Sequence, residues 1–396
     1  MTLLGIRPDY MRMYKIIELL DKKKDEIEHI LVHSGQHYDP ELFGIFLKQL
    51  NIREPDIDLG IGLELKQRGK TSYAHQVSLL LEKVDELMAK TNPDLVLFLG
   101  DNNTVLSSIA VGRNRIPIAH IEAGGRGFDW RTPEEKGRRI IDHLSDALYS
   151  YLDRYKKFLL AEGIEDFRIK VIGNIIVDAL RNFDPQFEQT TILKDLGLEK
   201  GKFILVTLHR EENIVEKNIL ENKLNDLKKI GEEKQMPVVL PLMPRVADKL
   251  KEFKIEDIIK DDVFIITKPL PFFEFSKLEK TARLIVTDSG TVQEDGLIFG
   301  TPCVVARRST ERPETIWAGA TILEGIEGKN TLYNKIKQGF ELKTDWDRNV
   351  LNPEGGSPSE RTINDLMEKI ESDYFKKSRS LEMIKDDWRV KQAYNL

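Results

Sequence analysis

The chain has 396 residues, 40% apolar and 32% charged, with a formal net charge of −6; it is long enough to bury two domain cores. Its acidic balance, with a pI near 5.8 and no basic stripe interleaved with aromatics, argues against general nucleic-acid binding. One cysteine, Cys303, excludes an intrachain disulfide framework and a zinc-ribbon site, no apolar run approaches the roughly 20 residues of a membrane span, and the opening MTLLGIRPDY reads as a strand entering a turn and not as a signal peptide, so a cytoplasmic setting is expected.

Strand and helix patterns alternate throughout, which predicts an α/β architecture with parallel sheets. Leu3-Leu4 is the first strand, and Gly5-Ile6-Arg7-Pro8-Asp9 follows it; Arg7 is a candidate phosphate ligand and Pro8 can open a helix. Strands follow at Ile30–Val32 and at Leu95–Phe98, the latter leading into Gly100-Asp101-Asn102-Asn103-Thr104. Asp101 is there a helix N-cap or a catalytic acid, with the cap favoured. The strand Ile118–Ile121 ends in Glu122, a position where an acid is costly unless paired or used. Pro133-Glu134-Glu135-Lys136-Gly137-Arg138-Arg139 then opens a helix with proline early and acids in its first turn. It follows Glu122 at close range, so Asp101, Glu122 and Glu134 are expected to converge, as proton abstraction beside a poorly acidic carbon requires. Ala147–Tyr149 and Lys170–Ile172 complete the first half, and the polar stretch between about Ile175 and Thr190 reads as a hinge.

The second half restarts the pattern. Phe203–Val206 leads to Thr207-Leu208-His209-Arg210-Glu211-Glu212-Asn213, which puts His209 at a strand end, on the far side of the cleft that two such halves imply. Val238–Leu240 and Val263–Ile266 are further strands. Leu284–Val286 ends in the turn Asp288-Ser289-Gly290-Thr291 and a helix to about Phe299. Small residues there admit a ligand close to the backbone, and the first helical N–H groups favour an anion. Glu294 and Asp295 are candidate acceptors for ribose hydroxyls. Cys303–Val305, the loop Thr310-Glu311-Arg312-Pro313-Glu314 and Thr321–Leu323 follow. Together, Ile285 to Glu314 describes a pocket for the diphosphate of a nucleotide sugar; an ordinary strand-turn-helix with acids complementing its dipole is the alternative. The expected division is residues 1–175, residues 190–370, and a terminal helix over 371–396 packing back on the first domain.

In order and spacing, the set GIRPD, SGQHYDPELF, GDNNT, HIEAG with PEEKGRR and DHLSD, GN with IVDAL, LHREEN, TDSGTVQEDG and TERPE resembles the non-hydrolysing UDP-N-acetylglucosamine 2-epimerase family, from about Leu4 to Gly325. The resemblance implies two Rossmann-like domains of the glycosyltransferase B type, with UDP held mainly by the second. It implies inversion at C2 of a UDP-N-acetylhexosamine, without nicotinamide or an obligatory metal, by elimination of UDP to a 2-acetamidoglucal and re-addition. It makes Asp101, Glu122, Glu134 and His209 the catalytic set. Arg7, Arg138, Arg210, Ser289, Gly290, Thr291, Glu294, Asp295 and Arg312 become the substrate contacts, with a UDP-sugar as the small-molecule partner and a homodimer as the assembly. The chain departs from the family at Gln36-His37-Tyr38-Asp39-Pro40, where activator-dependent members carry a QHREM-like run, and at Met243, where many relatives have histidine. Gly137 replaces an asparagine and Asp295 a glutamate. QHYD with PEL looks more like the subfamily serving capsule and O-antigen pathways, which includes an epimerase of UDP-6-deoxy-N-acetyltalosamine. A hydrolysing epimerase, a glycosyltransferase of the same fold and a non-catalytic nucleotide-sugar sensor are the rival readings.

Overall fold

A computed structural model describes residues 1–35, 40–69, 72–325, 331–380, 383–385 and 387–394; Gln36–Asp39 lie outside the described residues. The chain forms two compact units, one of Met1–Ala179 with Glu354–Leu396 and the other of Leu180–Pro353.

The first unit holds β1 (Thr2–Leu4), β2 (Leu31–His33), β3 (Ile57–Asp58), β4 (Val96–Leu99), β5 (Ile118–Ile121), β6 (Ala147–Ser150) and β7 (Ile169–Val171). Their order is β3-β2-β1-β4-β5-β6-β7 and every pairing is parallel. Helices cover both faces of such a sheet, so its inner strands read as unbroken apolar runs. Leu3, Val32, Val96, Phe98 and Ile118 pack against Leu80, Val84 and Met88 of the helix Tyr73–Thr91. The strand order reverses between β1 and β4, and ligands of doubly wound sheets bind beyond the strand ends at that reversal. The loops carrying Arg7 and Asp101 leave the sheet there.

The second unit repeats the plan with β8 (Ile204–Thr207), β9 (Val238–Pro241), β10 (Phe264–Thr267), β11 (Leu284–Thr287), β12 (Cys303–Val305) and β13 (Thr321–Leu323). They are ordered β10-β9-β8-β11-β12-β13, again all parallel, and reverse between β8 and β11. Successive side chains alternate between two cores: Ile204, Val206, Leu284 and Val286 enter one, Phe203, Leu205, Ile285 and Cys303 the other. The second reversal sets the turn at Asp288 beside His209.

The division at Ala179–Leu180 falls inside the stretch expected as the hinge, while its conformation and the point of return to the first unit differ from the sequence expectation. The stretch expected as a turn-rich hinge is a helix, Ile176–Gln189, with Pro185 inside it. Its Ile176, Val177, Leu180, Phe183 and Phe187 are buried at helical spacing, and Phe187 packs edge-on to Phe272 at 5.4 Å; this burial outweighs the proline. The chain rejoins the first unit from Glu354, well before residue 371. The helix Pro358–Glu371 packs against the helix Arg7–Lys22, and Asp178 accepts from the Ser359 N–H at 2.8 Å and the Ser357 hydroxyl at 2.9 Å. Further on, Tyr374 donates to the Asp146 carbonyl at 2.8 Å and Arg379 to the Asp146 carboxylate at 3.0 Å. Among the described residues no helix is long and apolar enough to cross a membrane.

Candidate active site

The loops after β1 and β4 are built against one another. Asp9, in the first turn of the helix Arg7–Lys22, accepts from the N–H groups of Gly5 (2.9 Å) and Ile6 (3.0 Å) and from Asn102 Nδ2 (2.9 Å). Burial pushes the Asp9 carboxyl up to about 6, against the opposing pull of its Gly5 and Ile6 hydrogen bonds. A Cβ on Gly5 would meet Thr104 Oγ1 at 2.2 Å and Asn102 Oδ1 at 2.6 Å, so only glycine admits this approach. Asn102, not Asp101, is the helix cap: its Oδ1 accepts from the Thr104 N–H at 2.9 Å. Asp101 is thereby released from the role favoured on sequence and instead pairs with Arg138, remaining partly exposed. Arg7 is half-buried at the strand end, and its side chain makes no hydrogen bond or ion pair among the described residues.

Glu122 is 4% exposed and has φ +75°, a left-handed backbone that a non-glycine residue occupies at a cost of about 1–3 kcal/mol. The Glu122 and Ala123 N–H groups share the Tyr149 carbonyl at 3.0 and 3.1 Å, which holds the turn. Its carboxylate forms a close pair with Arg12, whose Nη2 also donates to the Tyr151 hydroxyl at 2.8 Å. Gly100, at φ +70°, makes room for this pair, since a Cβ there would lie 3.2 Å from Glu122 Oε2. Sequence reasoning missed Arg12. It is a buried arginine inside a helix, and its partner is far along the chain.

The helix Pro133–Leu144 carries the second acid. Glu134 is half-buried in its first turn and close enough to Tyr73 that its charge, after burial, helps raise that phenol. Glu135 turns inward instead: it accepts from the Gly127 N–H at 2.9 Å and pairs with Arg138 at 3.4 Å and Arg139 at 3.1 Å. Arg139 continues to Glu162 at 2.6 Å, Glu162 to Arg126 at 2.7 Å, and Arg126 to Asp142 at 2.7 Å. Asp142 lies 2.8 Å from His120 Nδ1, and His120 Nε2 donates to the Gly100 carbonyl at 2.8 Å. Burial works to raise Asp142, but the hydrogen bonds and charges of His120 and Arg126 prevail and hold it below the usual carboxylate range.

In the second unit, the helix Gly290–Phe299 starts at Ser289, whose side chain makes no capping hydrogen bond, and Ser289 and Thr291 are half-buried beside the buried Gly290. The first N–H groups of that helix are a ready anion site. Glu294 is wholly buried and holds Arg312 Nε at 2.5 Å. Both therefore brace the loop after β12, where Gln293 also bonds the Arg312 carbonyl at 3.1 Å and the Thr310 hydroxyl at 2.7 Å. Asp295 is buried against Glu279; burial and the neighbouring Asp295 push the Glu279 carboxyl well up. His209 is 42% exposed with Nδ1 3.2 Å from Asp288 Oδ1, and Arg210 Nε donates to the Asp288 carbonyl at 3.0 Å.

Two doubly wound units, one presenting acids and the other a helix N-terminus with a histidine beside it, define an enzyme of the glycosyltransferase B-type fold. The chain matches the profile of the family described as UDP-N-acetylglucosamine 2-epimerase over residues 20–367. It is 35% identical to the UDP-N-acetylglucosamine 2-epimerase of Methanococcus maripaludis over 92% of this chain and 97% of that protein. It is 33% identical to the UDP-2,3-diacetamido-2,3-dideoxy-D-glucuronate 2-epimerase of Pseudomonas aeruginosa over 82% of this chain and 88% of that one. The crystal structure of Methanocaldococcus jannaschii UDP-GlcNAc 2-epimerase in complex with UDP-GlcNAc and UDP superposes with a TM-score of 0.84 at 34% identity, over 92% of this chain and 98% of that chain. The chain belongs to the non-hydrolysing UDP-N-acetylglucosamine 2-epimerase family, and it is an isomerase of the UDP-N-acetylhexosamine 2-epimerase type.

Proposed function

We propose that the enzyme interconverts UDP-GlcNAc and UDP-ManNAc by elimination and re-addition of UDP, as a cytoplasmic homodimer supplying cell-surface polysaccharide precursors. The observation that carries this reading is Glu122, an acid held at a strand end in a strained backbone beside its own arginine. A carboxylate of the first unit takes the C2 proton; the C1–O bond breaks, its electron pair leaves with the diphosphate, and C1=C2 forms. Re-addition at C1 with proton delivery to the opposite face of C2 gives the epimer. Inversion needs an acid or base on each face, and Glu122 and Glu134 are assigned to these, with Asp101 orienting through Arg138. Arg7, His209 and Arg210 stabilise the departing diphosphate, and the N–H groups at Ser289, Gly290 and Thr291 cradle its oxygens. Asp295 holds the ribose, while Glu294 and Arg312 act by bracing the adjoining loop.

The test is proton NMR of UDP-GlcNAc with the enzyme in deuterated water. Deuterium entering C2 as UDP-ManNAc accumulates is the expected result, whereas free ManNAc would indicate a hydrolysing enzyme. A second reading, in which the substrate is another UDP-N-acetylhexosamine of the capsule and O-antigen type, draws on the Pseudomonas aeruginosa relative and on Gly137 beside Asp101. Exchange with a 6-deoxy or diacetamido UDP-sugar, and none with UDP-GlcNAc, would move the assignment there.

A further inference from the structure

Asp288 is wholly buried at the end of β11 and is the meeting point of the second unit's loops. Its Oδ2 accepts from the N–H groups of His209 (2.9 Å) and Arg210 (2.9 Å) and from Asn213 Nδ2 (2.8 Å). Asn213 also donates to the Ala306 carbonyl at 3.0 Å, so one carboxylate oxygen gathers the segments after β8, β11 and β12. The other oxygen, Oδ1, has no well-formed hydrogen bond, and His209 Nδ1 lies 3.2 Å from it. A buried carboxylate oxygen without a donor is costly, and the half-exposed ring has the freedom to close this contact.

We propose that Asp288 is the positioning residue of His209, with Oδ1 engaging Nδ1–H so that Nε2 is the nitrogen offered to the departing diphosphate. This rests on the epimerase reading for its consequence, though not for its geometry. A loop tether needs only Oδ2. Asparagine can supply that acceptor through its amide carbonyl, but it then sets an NH₂ donor against Nδ1, so Asp288→Asn keeps the tether while reversing the contact to the ring. The same substitution behind a catalytic histidine elsewhere leaves geometry intact and costs several orders of magnitude in turnover.

The experiment pairs kinetics with ¹⁵N NMR of the histidine rings in the intact protein. Asp288→Asn is expected to lower kcat about 10²–10⁴-fold, with KM and thermal midpoint little changed, and to add no loss in the His209→Ala background. An equal further loss in that background, or a kcat within about threefold of wild type, overturns the proposal. Without substrate, the wild-type His209 ring is expected to show a protonated Nδ1, and a bare Nδ1 overturns the proposal whatever the activity. Absence of C2 exchange by the wild-type enzyme on every UDP-sugar offered would instead overturn the epimerase reading, leaving the ring measurement to judge the contact.

Discussion

Replacing Glu122 by glutamine separates chemistry from folding in one residue. The Arg12–Glu122 pair is 7% and 4% exposed, and breaking a pair so placed by neutralising one partner costs about 3–5 kcal/mol, because a cation is left in a poorly solvated site. Glutamine keeps the shape and can still accept from Arg12, and Arg12 keeps the Tyr151 hydroxyl at 2.8 Å, which puts Glu122→Gln near the low end, about 3 kcal/mol. Arg12→Met alone should cost a similar amount, since it leaves the carboxylate buried without its cation. The double variant removes both charges of the pair and should recover most of the lost stability, falling short by what Arg12 contributes to the nearby buried Asp9 carboxylate. The chemistry behaves differently. Loss of the proton acceptor should reduce C2 exchange about 10²–10⁴-fold, and the double variant should regain stability without regaining exchange. Urea unfolding followed by hydrogen exchange at the β4 and β5 amides reports the first unit locally, as suits a chain of two units. NMR of C2 exchange supplies the other axis, with UDP affinity expected within severalfold of wild type in all three variants. Recovery of turnover together with stability in the double variant would show that Glu122 matters only as the partner of Arg12.

Asp9 offers a pH test whose sign is set by its raised carboxyl. The folded protein holds that proton up to about pH 6 while the unfolded chain releases it near the ordinary aspartate value of 3.8, so this contribution to stability is complete below pH 4 and is lost as pH rises toward 6. Two pK units correspond to about 3 kcal/mol; Asp9→Asn, which mimics the protonated acid, should gain on wild type by that amount across the window, and a flat difference curve in urea would count against it. Glu279 is pushed up by burial and by Asp295, so Glu279→Gln should be neutral or stabilising at neutral pH, with its advantage growing as pH rises; calorimetry showing an advantage that shrinks with pH would refute this. Gly137 lies inside a helix with room for a methyl group, as its nearest contacts would be the Asp101 carbonyl at 3.7 Å and Val105 Cγ2 at 3.8 Å. Gly137→Ala should therefore stabilise by about 0.5–1 kcal/mol, and a lowered thermal midpoint would show that the space is not available.

Most of the fold is legible because parallel strands covered on both faces must be apolar throughout, and short apolar runs mark every strand except β3. That strand is two residues at a sheet edge, Ile57 half-buried and Asp58 exposed, too short for any periodicity to register. The division between the units falls at Ala179–Leu180, within the stretch read as the hinge, but that stretch is helical and not turn-like: Asp184-Pro185 looks like a turn, whereas the aromatic burial that keeps it helical is tertiary. At the site, strand ends could be located but side-chain partners could not. Asp101 and Asn102 are adjacent and both suited to capping, and only the fold shows that Asn102 takes the task. Glu134 and Glu135 differ by one step of helix phase; the buried face of Gly137, Arg138, Ile141 and Asp142 turns Glu135 inward and leaves Glu134 at the rim. The pairings of Glu294 with Arg312 and of Arg12 with Glu122 join residues 18 and 110 positions apart, beyond any local pattern. For Gln36–Asp39, the departure read from the sequence lies outside the described residues.

The ion pairs of the first unit close on themselves. From the Gly100 carbonyl the path runs through His120, Asp142, Arg126, Glu162, Arg139, Glu135 and Arg138 to the carboxylate of Asp101, the residue next to Gly100. Acids and bases alternate along it, so each charge is flanked by opposite ones, and most members are buried. Such networks add little net stability over an apolar core, because the attraction among the charges is largely offset by the cost of removing them from water. Geometry is what they can supply. Apolar packing tolerates small shifts, while a closed path of directional bonds penalises displacement of any one member through its neighbours. The segments it ties are those bearing the candidate acids: Gly100–Asp101 after β4, Gly124 beside Glu122, whose N–H donates to Asp142 at 3.2 Å, and the first turn of the Pro133 helix with Glu134. Proton transfer on opposite faces of one carbon depends on the placement of two acids to within a fraction of an ångström. Glu122, strained at φ +75°, would relax if its surroundings were soft; the ring of charge around the loops at Gly100 and Gly124 makes them stiff.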